Sequence, residues 1–106
     1  MTSGLTETRI STPDLAEVRK LVLAGLHGFH AAVYLFGSWA AGKAGRTSDI
    51  DVAVLPLEPI PRHVFSQIRE ALEESRVIYK VDLVDLSDTS EEFRSRILSE
   101  GVLWSV

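Results

Sequence analysis

Two aspartates one residue apart, Asp49 and Asp51, open the apolar run Ile50-Asp-Val-Ala-Val-Leu55, and a Gly37-Ser38 pair closes an earlier apolar run, Ala31-Ala-Val-Tyr-Leu-Phe36. In an extended strand, residues two apart point to the same face, about 6.5 Å from one another along the chain. Asp49 and Asp51 therefore share one face, and Ile50, Val52 and Val54 share the other. Carboxylates this close repel unless a cation lies between them, and a hard divalent ion such as Mg²⁺ takes oxygen ligands of this type. A solvated turn is the plainer reading of Ser48-Asp49, but a turn does not account for two carboxylates on one face of an apolar strand.

The elements that position these groups follow from the flanking sequence. Both apolar runs suit buried strands. Ten residues separate Ser38 from Asp49, enough for a short turn of helix over about Ser38 to Ala44, whose N–H groups point toward a phosphate. A P-loop, G-x-x-x-x-G-K-[ST], is the competing reading of Gly37-Ser-Trp-Ala-Ala-Gly42-Lys43-Ala44. It fails on two grounds. Ala44 lacks the hydroxyl that holds Mg²⁺, and Gly45-Arg-Thr-Ser48 leads straight into the next strand, whereas a βαβ crossover needs at least about 10–12 residues.

Gly37-Ser38, ten residues and Asp49-x-Asp51 together resemble the G-S-x10-D-x-D signature of the DNA polymerase beta-like nucleotidyltransferases, and the chain's length resembles their minimal (MNT) branch. The resemblance implies an α/β (α+β) nucleotidyltransferase fold: a mixed central sheet with helices packed on one side and the carboxylates on the opposite, more open face. It implies two Mg²⁺ ions held by Asp49, Asp51 and a third carboxylate on a later strand, with the triphosphate of ATP held at Gly37 and Ser38. It also implies transfer of AMP from ATP to a hydroxyl. Minimal nucleotidyltransferases of this type resemble the antitoxin half of a pair whose other half is an all-helical HEPN ribonuclease, adenylylated on a tyrosine. A binding-only interaction module and an antibiotic nucleotidyltransferase are the alternatives. The chain departs from the pattern after Gly-Ser, where many minimal members carry an arginine and this sequence has Trp39 and, two further on, Ala41. Lys43 and Arg46 are the cations expected to take its place.

The third carboxylate is sought in Val77-Ile-Tyr-Lys-Val-Asp-Leu-Val-Asp-Leu86, expected to be the third strand. Asp82 and Asp85 are an odd number of residues apart and so lie on opposite faces. Tyr79, Val81 and Leu83 share a face with Asp85 and should meet the helices. Asp82 shares the more polar face with Lys80 and is expected to join Asp49 and Asp51.

The rest of the chain reads as scaffold. Residues 1–11 are expected to be a loose lead-in, with Thr12 capping a helix that starts at Pro13. Leu15, Val18, Val22, Leu26 and Phe29 give that helix an apolar stripe. His27 and His30 are read as polar groups near its end, not as a metal pair. Pro61 opens a second helix with Val64, Phe65, Ile68 and Leu72 facing inward. Ser90 caps a third, with Phe93, Ile97 and Leu98 inward, and Val102–Val106 is a last short strand. One domain over 1–106 is expected. The chain is 45% hydrophobic and 25% charged, with net charge −4. An acidic chain without a basic run is poorly suited to gripping a long nucleic-acid backbone. The absence of cysteine excludes disulfides and thiolate chemistry. With a polar start and no long apolar run, the expected location is cytoplasmic.

Overall fold

The computed structural model describes residues 2–45 and 48–105, with side chains from residue 13 onward. Four strands form one sheet in the order β3-β2-β1-β4: β1 (Ala31–Phe36), β2 (Ile50–Pro56), β3 (Val81–Asp85) and β4 (Val102–Ser105). β1 runs antiparallel to β2 and to β4, and β2 runs parallel to β3, so the sheet is mixed. The helices are α1 (Thr2–Gly25), α2 (Gly37–Ala40), α3 (Arg62–Glu73) and α4 (Glu91–Glu100), with a 3-10 turn over Leu86–Asp88. None of the described helices is long and apolar enough to cross a membrane.

Alternation along the strands sorts the sheet's two faces. Val33 and Leu35 of β1, Ile50, Val52 and Val54 of β2, and Leu83 of β3 join one buried cluster. The expected stripes meet it there: Val18 and Val22 from α1 with Leu26 just past its end, and Val64, Phe65, Ile68 and Leu72 from α3. Each such side chain taken out of water contributes roughly 1.5–3 kcal/mol. Ile50 and Val52 are both fully buried. They fix the backbone on either side of Asp51, which is thereby held facing away from the helices.

On the opposite face a smaller cluster forms from Ala53, Leu86 and Ile97, with Tyr34, Phe36, Leu55, Val84 and Phe93 against it. Helices on one side thus describes α1 and α3, while α4 and the 3-10 turn cover part of the carboxylate face. The physical reason is that Tyr34, Phe36 and Leu55 alternate onto that face and need apolar cover. Phe93 meets Phe36 edge-on, with ring centroids 5.8 Å apart. Leu98, expected inside, is 42% exposed. At the next turn Gly101 lets β4 close onto β1, since a Cβ there would lie 2.7 Å from the Ile97 carbonyl and 3.2 Å from that of Leu35.

Three boundaries differ from expectation, the least of them the short helix, which spans Gly37–Ala40 and not Ser38 to Ala44. The helix expected from Pro13 already runs from Thr2, so the expected loose lead-in is helical over its described residues 2–11 and Pro13 lies inside α1. Proline removes one intrahelical hydrogen bond, but its fixed φ is itself helical, so the chain continues through it. The third strand is also shorter than Val77–Leu86. It begins at Val81 because its partner begins at Ile50, and the Ile50 amide closes the ladder by donating to the Lys80 carbonyl at 2.8 Å. Ile78, upstream of any partner, is 82% exposed.

Candidate active site

The register of β2 and β3 decides which carboxylates meet. Asp51 and Asp82 are direct partners across the parallel pair, on strands about 4.8 Å apart. Val84, two residues past Asp82, belongs to the smaller cluster on the carboxylate face, while Val81 and Leu83 pack on the helix side. Asp82 and Asp51 therefore share the face that α1 and α3 leave open. Asp85 has a different task. Its Oδ1 accepts from the Ser87 amide at 2.9 Å and from the Ser87 hydroxyl at 2.7 Å, capping the 3-10 turn.

Asp49 is exposed just ahead of β2, Asp82 is exposed on the edge strand, and Asp51 is half-buried between them. Burial pushes the Asp51 carboxyl above its ordinary value, and the charges of Asp82 and then Asp49 push it the same way. Among the described residues, no three acidic, histidine or cysteine side chains converge on a single point as they stand. The donor set still fits a hard cation: it is all oxygen, and like charges crowd onto the central carboxylate. Asp51 and Asp82 form the core of that set, with Asp49 adjoining.

The Gly-Ser turn lies directly against this cluster. Gly37 has φ +75, a left-handed conformation that side chains other than glycine's rarely adopt. A Cβ built there would also collide with Oδ2 of Asp51. Gly37 is thus required twice, once for the turn out of β1 and once to leave room for the carboxylate. Gly37→Ala is expected to cost at least about 1–2 kcal/mol from the backbone alone, and to displace Asp51. Melting curves with and without Mg²⁺ and ATP check this, the variant losing both basal stability and the ligand-induced gain.

After Gly37 the chain makes the short α2, and the Lys43 amide donates to the Ser38 carbonyl at 2.9 Å, tightening the turn. The Lys43 side chain is exposed. Arg46 lies outside the described residues. Trp39 has a role the sequence did not reveal: its indole Nε1 donates to the Ser48 carbonyl at 3.2 Å, and its ring meets Tyr79 edge-on with centroids 4.9 Å apart. It ties the loop, the lead-in to β3 and the strand carrying Asp51 into one unit. Only the aromatic type, at a position where a charge was expected, hinted at this.

Comparison with known proteins places the chain among relatives. Residues 29–104 match the family described as Polymerase beta, Nucleotidyltransferase. The chain is 35% identical over 88 residues to the probable protein adenylyltransferase MntA of Haemophilus influenzae, covering 83% of this chain and 75% of that protein. Among solved structures it resembles a chain of a toxin-antitoxin crystal structure with AMP-PNP, at 28% identity and TM-score 0.64, covering 83% of this chain and 73% of that one. It also resembles a chain of the tri-AMPylated Shewanella oneidensis HEPN toxin in complex with MNT antitoxin, at 25% identity and TM-score 0.65, covering 91% and 73%. A mixed sheet with paired aspartates beneath a Gly-Ser turn, matched over most of its length, makes this chain a member of the polymerase beta nucleotidyltransferase family.

Proposed function

We propose that this nucleotidyltransferase transfers AMP from ATP to a hydroxyl, a tyrosine of a helical HEPN-type toxin, and so acts in the cytoplasm as its antitoxin. One observation carries the chemistry: Asp51 stands opposite Asp82 at the foot of the Gly37 turn. The relatives named as protein adenylyltransferase and as MNT antitoxin support the acceptor class.

In this reading Asp49, Asp51 and Asp82 would hold two Mg²⁺ ions, which would supply charge neutralisation for an in-line displacement. Gly37 and Ser38 bind the triphosphate and orient its α-phosphorus over Asp51. The acceptor oxygen forms a bond to that phosphorus, the bond to the pyrophosphate oxygen breaks, and pyrophosphate departs. The acceptor's proton passes to Asp82, which is exposed on the edge strand where an incoming hydroxyl can reach it. Ser38 is a ligand, not a nucleophile, and no covalent enzyme intermediate forms. Lys43 and Arg46 add positive charge beyond the turn.

The test is co-expression with a helical HEPN-type protein, followed by mass spectrometry of the complex. AMP-sized additions on a partner tyrosine, dependent on Mg²⁺ and ATP, are expected. A stable complex in which the toxin is silenced and never modified would leave a binding-only antitoxin.

A further inference from the structure

Of Asp49, Asp51 and Asp82, Asp49 alone lies outside the strands. Pairing of β2 with β1 ends at Asp51 and its pairing with β3 ends at Ile50, so among the described residues neither ladder reaches Asp49. Side-chain direction follows φ and ψ, and free rotation at this position would swing the carboxylate off the face that carries Asp51 and Asp82. Each of the two peptide units flanking its Cα is planar, so one hydrogen bond on each is enough to fix both angles.

Both units carry such a bond. On the C-terminal side the Ile50 amide donates to the Lys80 carbonyl at 2.8 Å. On the N-terminal side the Ser48 carbonyl, which shares its plane with the Asp49 amide, accepts from the indole Nε1 of Trp39 at 3.2 Å. Ser48 is also tied to Gly45: its amide donates to the Gly45 carbonyl at 3.2 Å, and its hydroxyl accepts from the Gly45 amide at 2.9 Å. Those bonds close the loop on itself, whereas the indole bond reaches out of it. The Trp39 ring is half-buried against the main core cluster and meets Tyr79 edge-on, with centroids 4.9 Å apart. Tyr79 adjoins Lys80, so both bonds trace back to the lead-in to β3, just ahead of Asp82.

We propose that Trp39 is a positioning residue for Asp49: by pinning the Ser48 carbonyl it holds the Asp49 carboxylate on the face of Asp51 and Asp82, where the three would share a divalent cation. This rests on the metal-dependent nucleotidyl-transfer reading above and adds to it the residue that completes the ligand set. In this role the indole acts through the backbone and not on the substrate. Because Trp39 also fills space against the core, truncation to alanine would mix packing with positioning. The discriminating change is loss of the N–H alone.

Binding of Mn²⁺ to the isolated chain, followed by electron spin resonance of the free ion at equal folded fractions, tests the assignment without acceptor or turnover. The proteins compared are the wild type, Trp39→Phe, Asp49→Asn and the variant carrying both changes. Trp39→Phe should weaken Mn²⁺ binding by about tenfold, the low end for groups that orient metal ligands without touching the metal, and Asp49→Asn should weaken it at least as much. In the Asp49→Asn background Trp39→Phe should cost nothing further, since two changes that act through one group do not add. Benzothienylalanine in place of Trp39 puts sulfur where the indole has its N–H and keeps the ring against Tyr79. It should reproduce the loss seen in Trp39→Phe even if phenylalanine packs poorly. Unchanged Mn²⁺ binding in both donor-less variants would overturn the proposal, as would a loss of the same size with and without the Asp49 carboxylate, the mark of a general loosening. A wild type that binds no Mn²⁺, or binds it no better than Asp49→Asn, would remove Asp49 as a metal ligand and this proposal with it.

Discussion

Asp51→Asn is expected to abolish nucleotide transfer while raising the melting temperature of the metal-free protein at neutral pH. Burial and the charges of Asp82 and Asp49 all push this carboxyl above its ordinary value of 3.8. The folded protein therefore holds that proton more tightly than the unfolded chain does. The stability this group contributes is fully present below the unfolded value. It falls as pH rises to the folded value, and the loss persists at all higher pH. Asparagine removes the penalty. Like charges directly opposite on neighbouring strands cost roughly 0.2–1 kcal/mol, and 1 kcal/mol shifts the melting temperature of a domain this size by about 4–8 °C. The advantage of the variant should shrink as pH is lowered toward 3.8 and vanish below it. With saturating Mg²⁺ and ATP the order should reverse, because ligand binding to the native state stabilises only the protein that can bind it, by about 2.7 kcal/mol at a hundredfold excess over Kd. Paired melts of wild type and variant, in chelator and then in Mg-ATP, read out both halves. A variant less stable than wild type in chelator at neutral pH would make Asp51 a structural carboxylate.

The distinction between legible and illegible parts of this site is one of range. Alternation along β2 placed Asp51 opposite Ile50 and Val52, because a strand's period of two is a local property and both neighbours are fully buried. The same period put Leu83 on the helix face and Asp82 on the other. Pairing is not local: Val77–Lys80 has strand-like sequence but no strand, since β2 starts only at Ile50 and offers nothing further upstream to pair with. Cover is not local either. Phe36 and Tyr34 signal an apolar need on the carboxylate face, yet only the tertiary arrangement shows α4 meeting it with Phe93 and Ile97. Trp39 was read as a missing charge, whereas its partners, Ser48 and Tyr79, lie nine and forty residues away. Pro13 was read as a helix start because proline is favoured there, but α1 continues on both sides of it, its φ being helical although one hydrogen bond is lost.

Asp82→Asn and Asp85→Asn are expected to separate sharply in activity, although the two residues share one short strand and one chemistry. Asp82 stands across from Asp51 and raises its carboxyl. Asp85 has its Oδ1 engaged by the amide and hydroxyl of Ser87, a local cap on the 3-10 turn where Leu86 is fully buried. If Asp82 takes the acceptor's proton and completes the carboxylate set, its amide should lower transfer by at least about 10²–10⁴-fold, the usual worth of a positioned general base. ATP binding should suffer less than in Asp49→Asn or Asp51→Asn, because Asp51 lies against the Gly37 turn and Asp49 is two residues from Asp51, just ahead of the same strand. Asp85→Asn keeps one oxygen in place to accept from Ser87, so it should cost no more than about 1 kcal/mol of stability, the scale of a lost cap, and retain most of its transfer activity. Single-turnover transfer to the partner, measured at equal folded fractions, gives the ranking directly. Activity surviving in Asp82→Asn but lost in Asp85→Asn would mean that the reacting face is the one buried under α1 and α3. Asp85 could reach substrate there only if Leu83 and Val54, now packed in the core, gave way.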